Sequence, residues 1–457
     1  MYIKGFFGKY RIFLVAICAN MMGFCIGSYI GWTSPVTPKL REQTPDSPLN
    51  FSITATQEGW IGSLISIGAF ISSLFVGDVA NAIGRKWTLL FSSLFIIVSY
   101  IFLILTTDVW FIYVARFLQG LGGAGGGAVV PMYIGEIATD DNRGALGSLI
   151  TIFVLSGILY TYIIGPHVSY LAFQYCCIAI PILFFVTFLF MPESPYYYAM
   201  KGDKPNLIDS LQILRGKSAN EVEDEASTIQ KEVDDCMSNQ SRIVDIIHNH
   251  SYRKALLIVC GLLFLQQMSG TTAVTFNSQS IFIDAGTNLD PALATILLGL
   301  VQLMSNLLTP FVIERAGRKK MLLVSSIGMS IALIALGVFF YIQAFGNASK
   351  VMWLPIPALI MFNIFFGFGF GPIPWAMSGE MIPPNIKSTA TVLAGTSTCV
   401  ALFVVTRWFP ELNALGSYYA FWVFGLFSIL GFVFVYFFVI ETKGLSLHMI
   451  QEKLQSS

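Results

Sequence analysis

The stretch GRKWTLL at residues 84–90 decides the fold, because a second copy, GRKKMLL, occupies residues 317–323. Each copy follows the second long apolar stretch of its own half of the chain. A short basic phrase that recurs at the same place in both halves indicates that the chain is built twice from one helical unit. Duplicated helical units of this kind are typical of membrane carriers that open alternately to either side.

The composition requires the chain to use lipid as its solvent. Of its 457 residues, 55% are hydrophobic, 11% are charged and 39 are Phe, and the mean hydropathy is +0.70. A membrane-spanning helix needs about 20 mostly apolar residues. Twelve stretches meet this requirement and predict spans 1 to 12, near residues 12–31, 59–80, 88–106, 109–131, 143–165, 169–191, 253–282, 290–315, 320–345, 350–378, 386–408 and 417–440.

Positive charges assign the two sides of the predicted bundle. Most of the 26 Lys and Arg residues fall in the tails and in the loops on the same side as the tails. The exceptions are Lys39, Arg41, Lys350 and Arg407 on the other side, and Arg116 inside span 4. Because Lys and Arg stay on the cytoplasmic side of a membrane during insertion, both termini are predicted to be cytoplasmic.

One glycosylation sequon falls on the outer side in this topology. Asn50 begins an Asn-Phe-Ser triplet in the loop between spans 1 and 2, where glycosylation could reach it. The signal is weak alone, because Asn249 begins a similar triplet on the cytoplasmic side. We predict glycosylation at Asn50 and a multi-pass protein of the plasma membrane.

The composition argues against several other classes of function. The formal net charge is zero, which gives no reason to expect nucleic acid as a partner. Seven cysteines are scattered, mostly within the spans, which argues against a disulfide framework and a thiolate metal site. The sequence contains no GxxxxGKS or GxxxxGKT phosphate-binding phrase. We expect a protein of the lipid bilayer with no metal, no cofactor and no obligate protein partner.

A long polar segment divides the chain. It predicts an N-terminal six-helix bundle at 1–195, a cytoplasmic helical segment at 196–252, a C-terminal six-helix bundle at 253–440 and a cytoplasmic tail at 441–457. Within the segment, residues 207–214 and 219–233 have helical spacing with charges on one face, which predicts short amphipathic helices. A flexible linker is the alternative. In span 4, the dense glycines at 120–127 predict close helix packing.

Several short motifs occur in a fixed order along the chain. They are GRK at 84–86 and 317–319, Glu136 followed by Arg143, PESP at 192–195, QQMSG at 266–270, GPIPW at 371–375, Glu380 followed by Lys387, and ETKG at 441–444. In this combination the chain resembles the sugar-porter branch of the major facilitator superfamily over nearly its whole length. The segments at 31–40 and 371–380 are most similar to insect facilitative trehalose and hexose transporters. The resemblance implies an all-α membrane transporter, not an enzyme, with twelve transmembrane helices in two six-helix bundles and short cytoplasmic helices between the halves.

The resemblance also implies an inner gate at the cytoplasmic mouth. Its residues would be Arg85, Glu136, Arg143, Glu193, Glu314, Arg318, Glu380, Lys387 and Glu441. Ion pairs and helix-end contacts linking the two halves would hold this mouth shut and break when it opens. The alternative is that the charges only anchor the helix ends at lipid headgroups. Asn81 replaces the family's acidic residue and Lys387 replaces an Arg, which predicts a weaker gate than usual because Lys lacks the bidentate geometry of Arg.

Polar residues in spans 7, 8 and 10 are candidates for substrate contacts. Amides and hydroxyls inside a span are costly in lipid and must face a wet cavity or another helix. The resemblance implies that Gln266 and Gln267 contact sugar, and Trp375 would form an apolar wall of the cavity. The predicted substrate-binding residues are Gln266, Gln267, Thr272, Phe276, Asn277, Gln302 and Trp375. For some of the polar residues of span 7, the alternative is hydrogen bonding between helices.

Other positions depart from the typical hexose carrier. Thr151, Thr272, Gly367, Thr398 and Cys399 stand where that carrier has larger sugar ligands. The shortened side chains predict extra room, which would suit a larger sugar such as a disaccharide. Loss of transport is the other outcome that these departures allow.

The predicted spans offer no group that could carry a proton. No Asp or Glu lies in their central depth, and the four His lie in loops or tails. Proton-driven transport needs a titratable group inside the bundle. We therefore expect facilitative uniport of a neutral sugar, trehalose or a hexose such as glucose. The alternatives are a sugar receptor that does not transport and a carrier of a polyol or another polar solute.

Overall fold

The computed structural model describes residues 11–42, 45–139, 142–238, 249–383, 386–445 and 447–456. The side chains of three predicted gate residues, Arg143, Glu314 and Lys387, lie outside the described set. Within the described ranges the chain is helical and contains no β-strand. The all-α prediction is therefore confirmed.

The long helices correspond one to one with the twelve predicted spans. Spans 1 to 6 are Arg11–Gly31 with its continuation Thr33–Arg41, Ala55–Ile83, Arg85–Ile104, Val109–Ile137, Arg143–Ile164 and Tyr170–Phe188. Spans 7 to 12 are His250–Met268 with Thr271–Ala285, Pro291–Ala316, Arg318–Phe345, Pro355–Phe368 with Ile373–Met381, Lys387–Leu415 and Ser417–Phe438. Among the described residues, 11 helices are long and apolar enough to cross a membrane. The twelfth long helix, Val109–Ile137, is span 4. It contains Arg116 and many glycines, which lower its mean hydropathy below that of the other spans.

The glycine of each GRK phrase makes the turn between two consecutive spans. Gly84 joins spans 2 and 3 with a φ of +99°, and Gly317 joins spans 8 and 9 with a φ of +88°. Residues with a side chain rarely adopt this conformation. A Cβ at Gly84 would also collide with the carboxylate of Glu193, and one at Gly317 with that of Glu441. The repeated phrase therefore forms the same turn twice, and in each turn the missing side chain of the glycine leaves room for a carboxylate.

Each half of the chain has its own apolar core. One cluster of buried residues comes mainly from spans 1 to 6 and includes Leu89 and Tyr133. The other comes from spans 7 to 12 and the chain that follows them, and includes Leu333 and Phe421. Phe276 of span 7 belongs to the first cluster although it lies in the second half. The two cores correspond to the two predicted six-helix bundles.

The glycines of span 4 pack closely against neighbouring spans. Gly120 lies against the backbone of Ile65 in span 2, and Gly122 lies against the backbone of Ser92 in span 3. A Cβ at either glycine would collide with these atoms. Small residues therefore let span 4 approach both neighbours, as the sequence predicts.

Short helices cover one end of the bundle. Three of them, Pro195–Lys201, Lys204–Arg215 and Ala219–Ser238, follow span 6, and Leu447–Ser456 follows span 12. The first three share a small apolar core that includes Leu211 and Val222. Arg215 holds them to span 4, because its Nη1 donates to the carbonyl of Ile137 at 2.8 Å. The predicted amphipathic helices are confirmed, while residues 239–248 of the same segment lie outside the described set.

We call the end of the bundle that carries the two GRK turns and these short helices the motif face. The other end, which carries the loop between spans 1 and 2, is the opposite face. The division of the chain into these four predicted domains stays a prediction.

Candidate transport site and gates

Spans 7 and 10 are both broken. Span 7 is interrupted at Gly270, which has a φ of +82°, and a Cβ there would collide with the ring of Phe424 in span 12. Span 10 is interrupted between Phe368 and Ile373. Breaks at membrane depth free backbone polar groups, which are tolerated where they line a cavity or meet other polar groups.

The side chain of Gln266 joins the two breaks. It belongs to the last turn of the first piece of span 7, and its Nε2 donates to the carbonyls of Phe370 and Gly371, each at 2.6 Å. Its Oε1 is buried and has no hydrogen-bond partner. A buried acceptor without a donor is costly, and a hydroxyl reaching it would remove this cost.

Three of the predicted substrate-binding residues remain accessible near this junction. The Oγ1 of Thr272 donates to Oε1 of Gln267 at 2.7 Å, and both residues are half-buried. Trp375 lies in the first turn of the second piece of span 10, with 48% of its surface exposed. The junction therefore keeps an amide, a hydroxyl and an indole accessible.

The other three predicted residues are buried. Asn277 donates from Nδ2 to the carbonyl of Ala273 at 3.0 Å and has non-helical backbone angles within span 7. Gln302 of span 8 is 8% exposed. Phe276 is 3% exposed and packs into the core of the first half. The structure thus leaves Gln267, Thr272 and Trp375 accessible and buries Phe276, Asn277 and Gln302.

A fully buried arginine, Arg116 of span 4, lies behind Phe276. Its guanidinium donates to neutral acceptors on three spans, and the rings of two aromatic residues face it. The acceptors are the carbonyls of Ile61 and Tyr29, Oε1 of Gln119 and Oγ1 of Thr33, at 2.6–3.0 Å, and the rings are those of Trp32 and Phe276, at 5.1 and 5.7 Å. Sequence reasoning placed Arg116 inside a span and gave it no role. The sequence does contain a signal for a role: Arg116 stands alone in an apolar stretch, and an intramembrane charge needs partners.

At the opposite face, polar contacts join the two halves. Arg41, the last residue of span 1, pairs with Glu58 of span 2 at 2.8 Å and reaches Asp284 of span 7 at 3.9 Å. Thr56 of span 2 donates to Glu411 of span 11 at 3.1 Å. Sequence reasoning missed this set, because each residue belongs to a different loop or helix end and no motif links them.

Aromatic and backbone contacts close the same face. A Cβ on Gly59 of span 2 would collide with the backbone of Arg407 in span 11, whose guanidinium also lies over the ring of Trp60 at 5.3 Å. Deeper in the bundle, the hydroxyl of Tyr162 in span 5 donates to the carbonyl of Thr275 in span 7 at 2.6 Å. The halves are therefore in close contact from the opposite face inward.

At the motif face, the predicted gate residues pair within each half. Nη2 of Arg85 lies 2.7 Å from Glu136, which joins spans 3 and 4. Nη2 of Arg318 lies 2.8 Å from Glu380, which joins spans 9 and 10. The sequence predicted pairs that link the two halves, whereas the two pairs among the described gate residues each lie within one half. Each arginine belongs to a GRK phrase, and its carboxylate partner lies in the last turn of a neighbouring span of the same half.

Two further carboxylates bind the GRK turns in the same way. Glu193 accepts from the backbone N–H groups of Arg85 and Lys86, at 2.9 and 3.1 Å. Glu441 accepts from the backbone N–H groups of Arg318 and Lys319, at 2.8 and 3.1 Å. Burial raises the pKa of the Glu193 carboxyl, and its backbone hydrogen bonds oppose this shift. Each carboxylate therefore caps the first turn of a span, where helix N–H groups lack partners.

Four glycines toward the motif face have no neighbouring atom within 4 Å of the position that a Cβ would take. They are Gly77, Gly144, Gly147 and Gly395. In the described part of the chain, the hydrogen bonds and ion pairs between the halves lie at the opposite face and deeper in the bundle.

Comparison with known proteins agrees with this architecture. The family model described as "Sugar (and other) transporter" matches residues 11–454. The chain belongs to the sugar transporter family. The facilitated trehalose transporter Tret1 of Apis mellifera ligustica is 35% identical over 96% of this chain and 87% of its own length, and that of Polypedilum vanderplanki is 34% identical over 97% and 88%. The inward open conformation of the xylose transporter XylE from E. coli superposes with a TM-score of 0.77 at 21% identity, over 97% of this chain and 99% of that one.

One departure from the sugar transporter pattern does not create space. A Cβ at Gly367 in span 10 would lie 2.8 Å from the Cβ of Ser305 in span 8, and Thr309 donates to the Gly367 carbonyl at 2.8 Å. The extra room predicted at this position is therefore absent, because span 8 packs directly against the glycine. Any added space must come from the other shortened positions.

Proposed function

We propose that this chain carries a neutral sugar, trehalose or a hexose such as glucose, passively across the plasma membrane by alternating access. The junction of the broken spans 7 and 10 carries the proposal, since Gln266 ties the breaks together and Gln267, Thr272 and Trp375 stay accessible beside them. A sugar presents hydroxyls around an apolar ring face, and this junction offers amide, hydroxyl and indole groups to match. The two insect relatives are named as trehalose transporters, which makes trehalose the first substrate to test.

Uniport is supported by the surroundings of Arg116. In the described part of the chain, its guanidinium donates to carbonyl, amide and hydroxyl oxygens. A proton-driven cycle would need a carboxylate or another titratable group whose charge changes inside the bundle. The neutral set around Arg116 can remain unchanged while the halves rock, which suits passive transport.

The predicted inner gate forms the second part of the proposal. Arg85, Glu136 and Glu193 stiffen the first half at the motif face, and Arg318, Glu380 and Glu441 stiffen the second. When the motif face closes, these two charged clusters would meet across the mouth. Arg143, Glu314 and Lys387 are proposed to supply further pairs in that closed state.

The orientation in the membrane follows from the charges. The motif face carries most Lys and Arg, so it is proposed to be cytoplasmic, with both termini on that side. Asn50 is exposed on the opposite face and is proposed to be glycosylated there.

Uptake into oocytes that express the chain tests the function. Radiolabelled trehalose and glucose would be measured at two external pH values, with and without a proton uncoupler. Saturable uptake that neither pH nor the uncoupler changes is expected. Uptake abolished by the uncoupler would refute uniport. Surface expression without sugar flux would favour the receptor, and competition of the labelled sugar by polyols would favour a polyol carrier.

Substitution at the junction tests the site. Gln267→Ala should raise KM by roughly tenfold or more, because a hydroxyl that has lost its amide partner costs about 1–3 kcal/mol. Gln343→Ala is the matched control, since Gln343 is an exposed glutamine at the far end of span 9. Equal KM values for the two variants would remove Gln267 from the site.

A further inference from the structure

The second piece of span 7, Thr271–Ala285, belongs to the second half of the chain but packs against the first half. Its Phe276 lies in the core of the first half, and its Asp284 reaches Arg41 of span 1 at 3.9 Å. The piece therefore lies on the surface where the halves separate if the opposite face opens. A helix in this place must keep its backbone polar groups paired before and after that separation.

This piece is kinked at Asn277, whose backbone angles are φ −121° and ψ 17°. Regular α-helical angles are about −63° and −42°. The polar side chains around the kink bond backward within the piece. Those of Thr275, Asn277 and Ser278 each donate to the carbonyl four residues earlier, at 2.6–3.0 Å. Because backward bonds of this kind bend helices, the local sequence favours a bend at this place.

The kink separates two backbone groups that a regular helix would join. In an α-helix, the N–H of Gln279 donates to the carbonyl of Thr275, four residues earlier. Asn277 lies midway between them, and its non-helical angles turn the two groups out of line. Each of these groups therefore needs a partner from outside the piece while the kink is present.

The first half supplies both partners. Ser34 of span 1 accepts from the N–H of Gln279 through its Oγ at 3.1 Å. Tyr162 of span 5 donates from its hydroxyl to the carbonyl of Thr275 at 2.6 Å. Ser34 and Tyr162 are 0% and 1% exposed, so water does not compete for either contact. The half to which the piece does not belong thus completes the interrupted helical bond at both of its ends.

The position of Tyr162 depends on contact between spans 5 and 8. Its ring belongs to a small apolar cluster of span 5, and Ile296 and Leu303 of span 8 pack against this cluster. A Cβ at Gly299 of span 8 would lie 3.0 Å from the ring. Because span 5 belongs to one half and span 8 to the other, separation of the halves would withdraw the hydroxyl of Tyr162 from the carbonyl of Thr275.

We propose that Ser34 and Tyr162 are positioning residues that hold span 7 in its kinked form while the opposite face is closed, and that the N–H of Gln279 returns to the carbonyl of Thr275 when that face opens. The proposal rests on the alternating access proposed above. Span 7 straightens as the halves separate, so neither backbone group is left unpaired. The two contacts act as one unit, because the loss of either one frees a group that draws the other back into the helix.

Distances between spin labels on spans 2 and 11, at the opposite face, test this bond exchange in the full-length protein in nanodiscs without sugar. Tyr162→Phe and Ser34→Ala each remove one oxygen atom. Each should raise the ratio of open to closed molecules at this face by about fivefold, because one hydrogen bond of the closed state is lost. The double variant should also raise it by about fivefold, because either substitution alone already releases both groups.

The matched controls remove hydroxyls whose hydrogen bonds stay within the first half. Tyr160→Phe removes a donor to the carbonyl of Cys176 at 3.1 Å. Ser28→Ala removes a donor to the carbonyl of Cys25 at 2.8 Å. Neither control should change the ratio of open to closed molecules.

A shift of roughly twenty-five-fold in the double variant would overturn the proposal, since the two contacts would then be independent. No shift in the single variants, or an equal shift in the controls, would overturn it as well. If the double variant does not fold, Asn277→Ala combined with Tyr162→Phe takes its place, because Ala favours a straight helix, and again the shifts should not add.

Sugar uptake by the same variants separates this proposal from the proposed function. The expected shifts without sugar uptake by the wild type would refute transport alone. Sugar uptake by the wild type with shifts that add in the double variant would refute the bond exchange alone.

Discussion

The two ends of this bundle use charge in different ways. At the motif face, the ion pairs of Arg85 and Arg318 lie within one half each. At the opposite face, the contacts of Arg41 with Asp284 and of Thr56 with Glu411 cross between halves. The first set makes each half rigid, and the second set holds the halves together. A carrier that rocks between two states needs both, since rigid halves can move as units only if the contacts between them can break.

The Gly84 turn should be the most sensitive point of the motif face. Gly84→Ala should destabilise the protein by roughly 3 kcal/mol or more, because the side chain strains a positive φ and displaces a carboxylate that caps backbone N–H groups. Thermal unfolding of the detergent-purified protein would measure this. Gly202→Ala is the control, since Gly202 has a φ of +69° with open space around its Cβ position and should cost only about 1 kcal/mol. Similar losses in both variants would show that the carboxylate does not matter.

The two motif-face pairs should differ in strength. The side chains of Arg85 and Glu136 are 5% and 14% exposed, and those of Arg318 and Glu380 are 21% and 28% exposed. Removing one charge of a buried pair costs about 3 kcal/mol, and removing one of a more exposed pair costs about 1 kcal/mol. Glu136→Gln should therefore lower the unfolding temperature more than Glu380→Gln. The reverse order would contradict this account of burial.

The contacts at the opposite face should affect the balance of states more than stability. The double variant Thr56→Ala with Asp284→Asn removes two contacts between the halves, which should shift the population toward opening at that face by about twofold to fivefold. Distances between spin labels placed on spans 2 and 11 would report the shift. Glu136→Gln provides the contrast, because its pair lies within one half. A shift of the same size in Glu136→Gln would erase the distinction between the two faces.

A substitution at Asn81 should have the smallest effect on stability. Its Oδ1 accepts from Nη1 of Arg85 at 3.3 Å, within the first half. Asn81→Asp should add about 0.5 kcal/mol to stability, because a carboxylate makes a stronger bond to the guanidinium. The distances between the halves should stay unchanged, and the unfolding temperature should rise slightly. A change in those distances without a gain in stability would instead place Asn81 in a contact between halves.

Much of the fold and part of the site were predictable from the sequence. Apolar stretches of the right length predict the twelve spans, because a helix must cross a hydrocarbon layer of fixed thickness. The breaks at Gly270 and in the Gly371 region are visible because glycine and proline interrupt helices. Residues such as Gln267 and Trp375 stand out as polar or amphipathic groups in apolar surroundings.

The other contacts of the site could not be predicted from the sequence, because they join segments that are far apart in the chain. No local pattern links Arg41 to Asp284, or Thr56 to Glu411, and their contacts exist because the two halves close on one another. The burial of Phe276 beside Arg116 and the packing of Gly367 against Ser305 have the same origin.

Local physics in the sequence by itself determined the helices, the repeated turns and the chemical types in spans 7 and 10, because lipid penalises every unpaired backbone or polar group within a span. Tertiary structure alone decided which charges pair within a half and which pair between halves. That choice depends on which spans pack side by side, and the pairing residues are far apart in the chain, so no single stretch of sequence contains it.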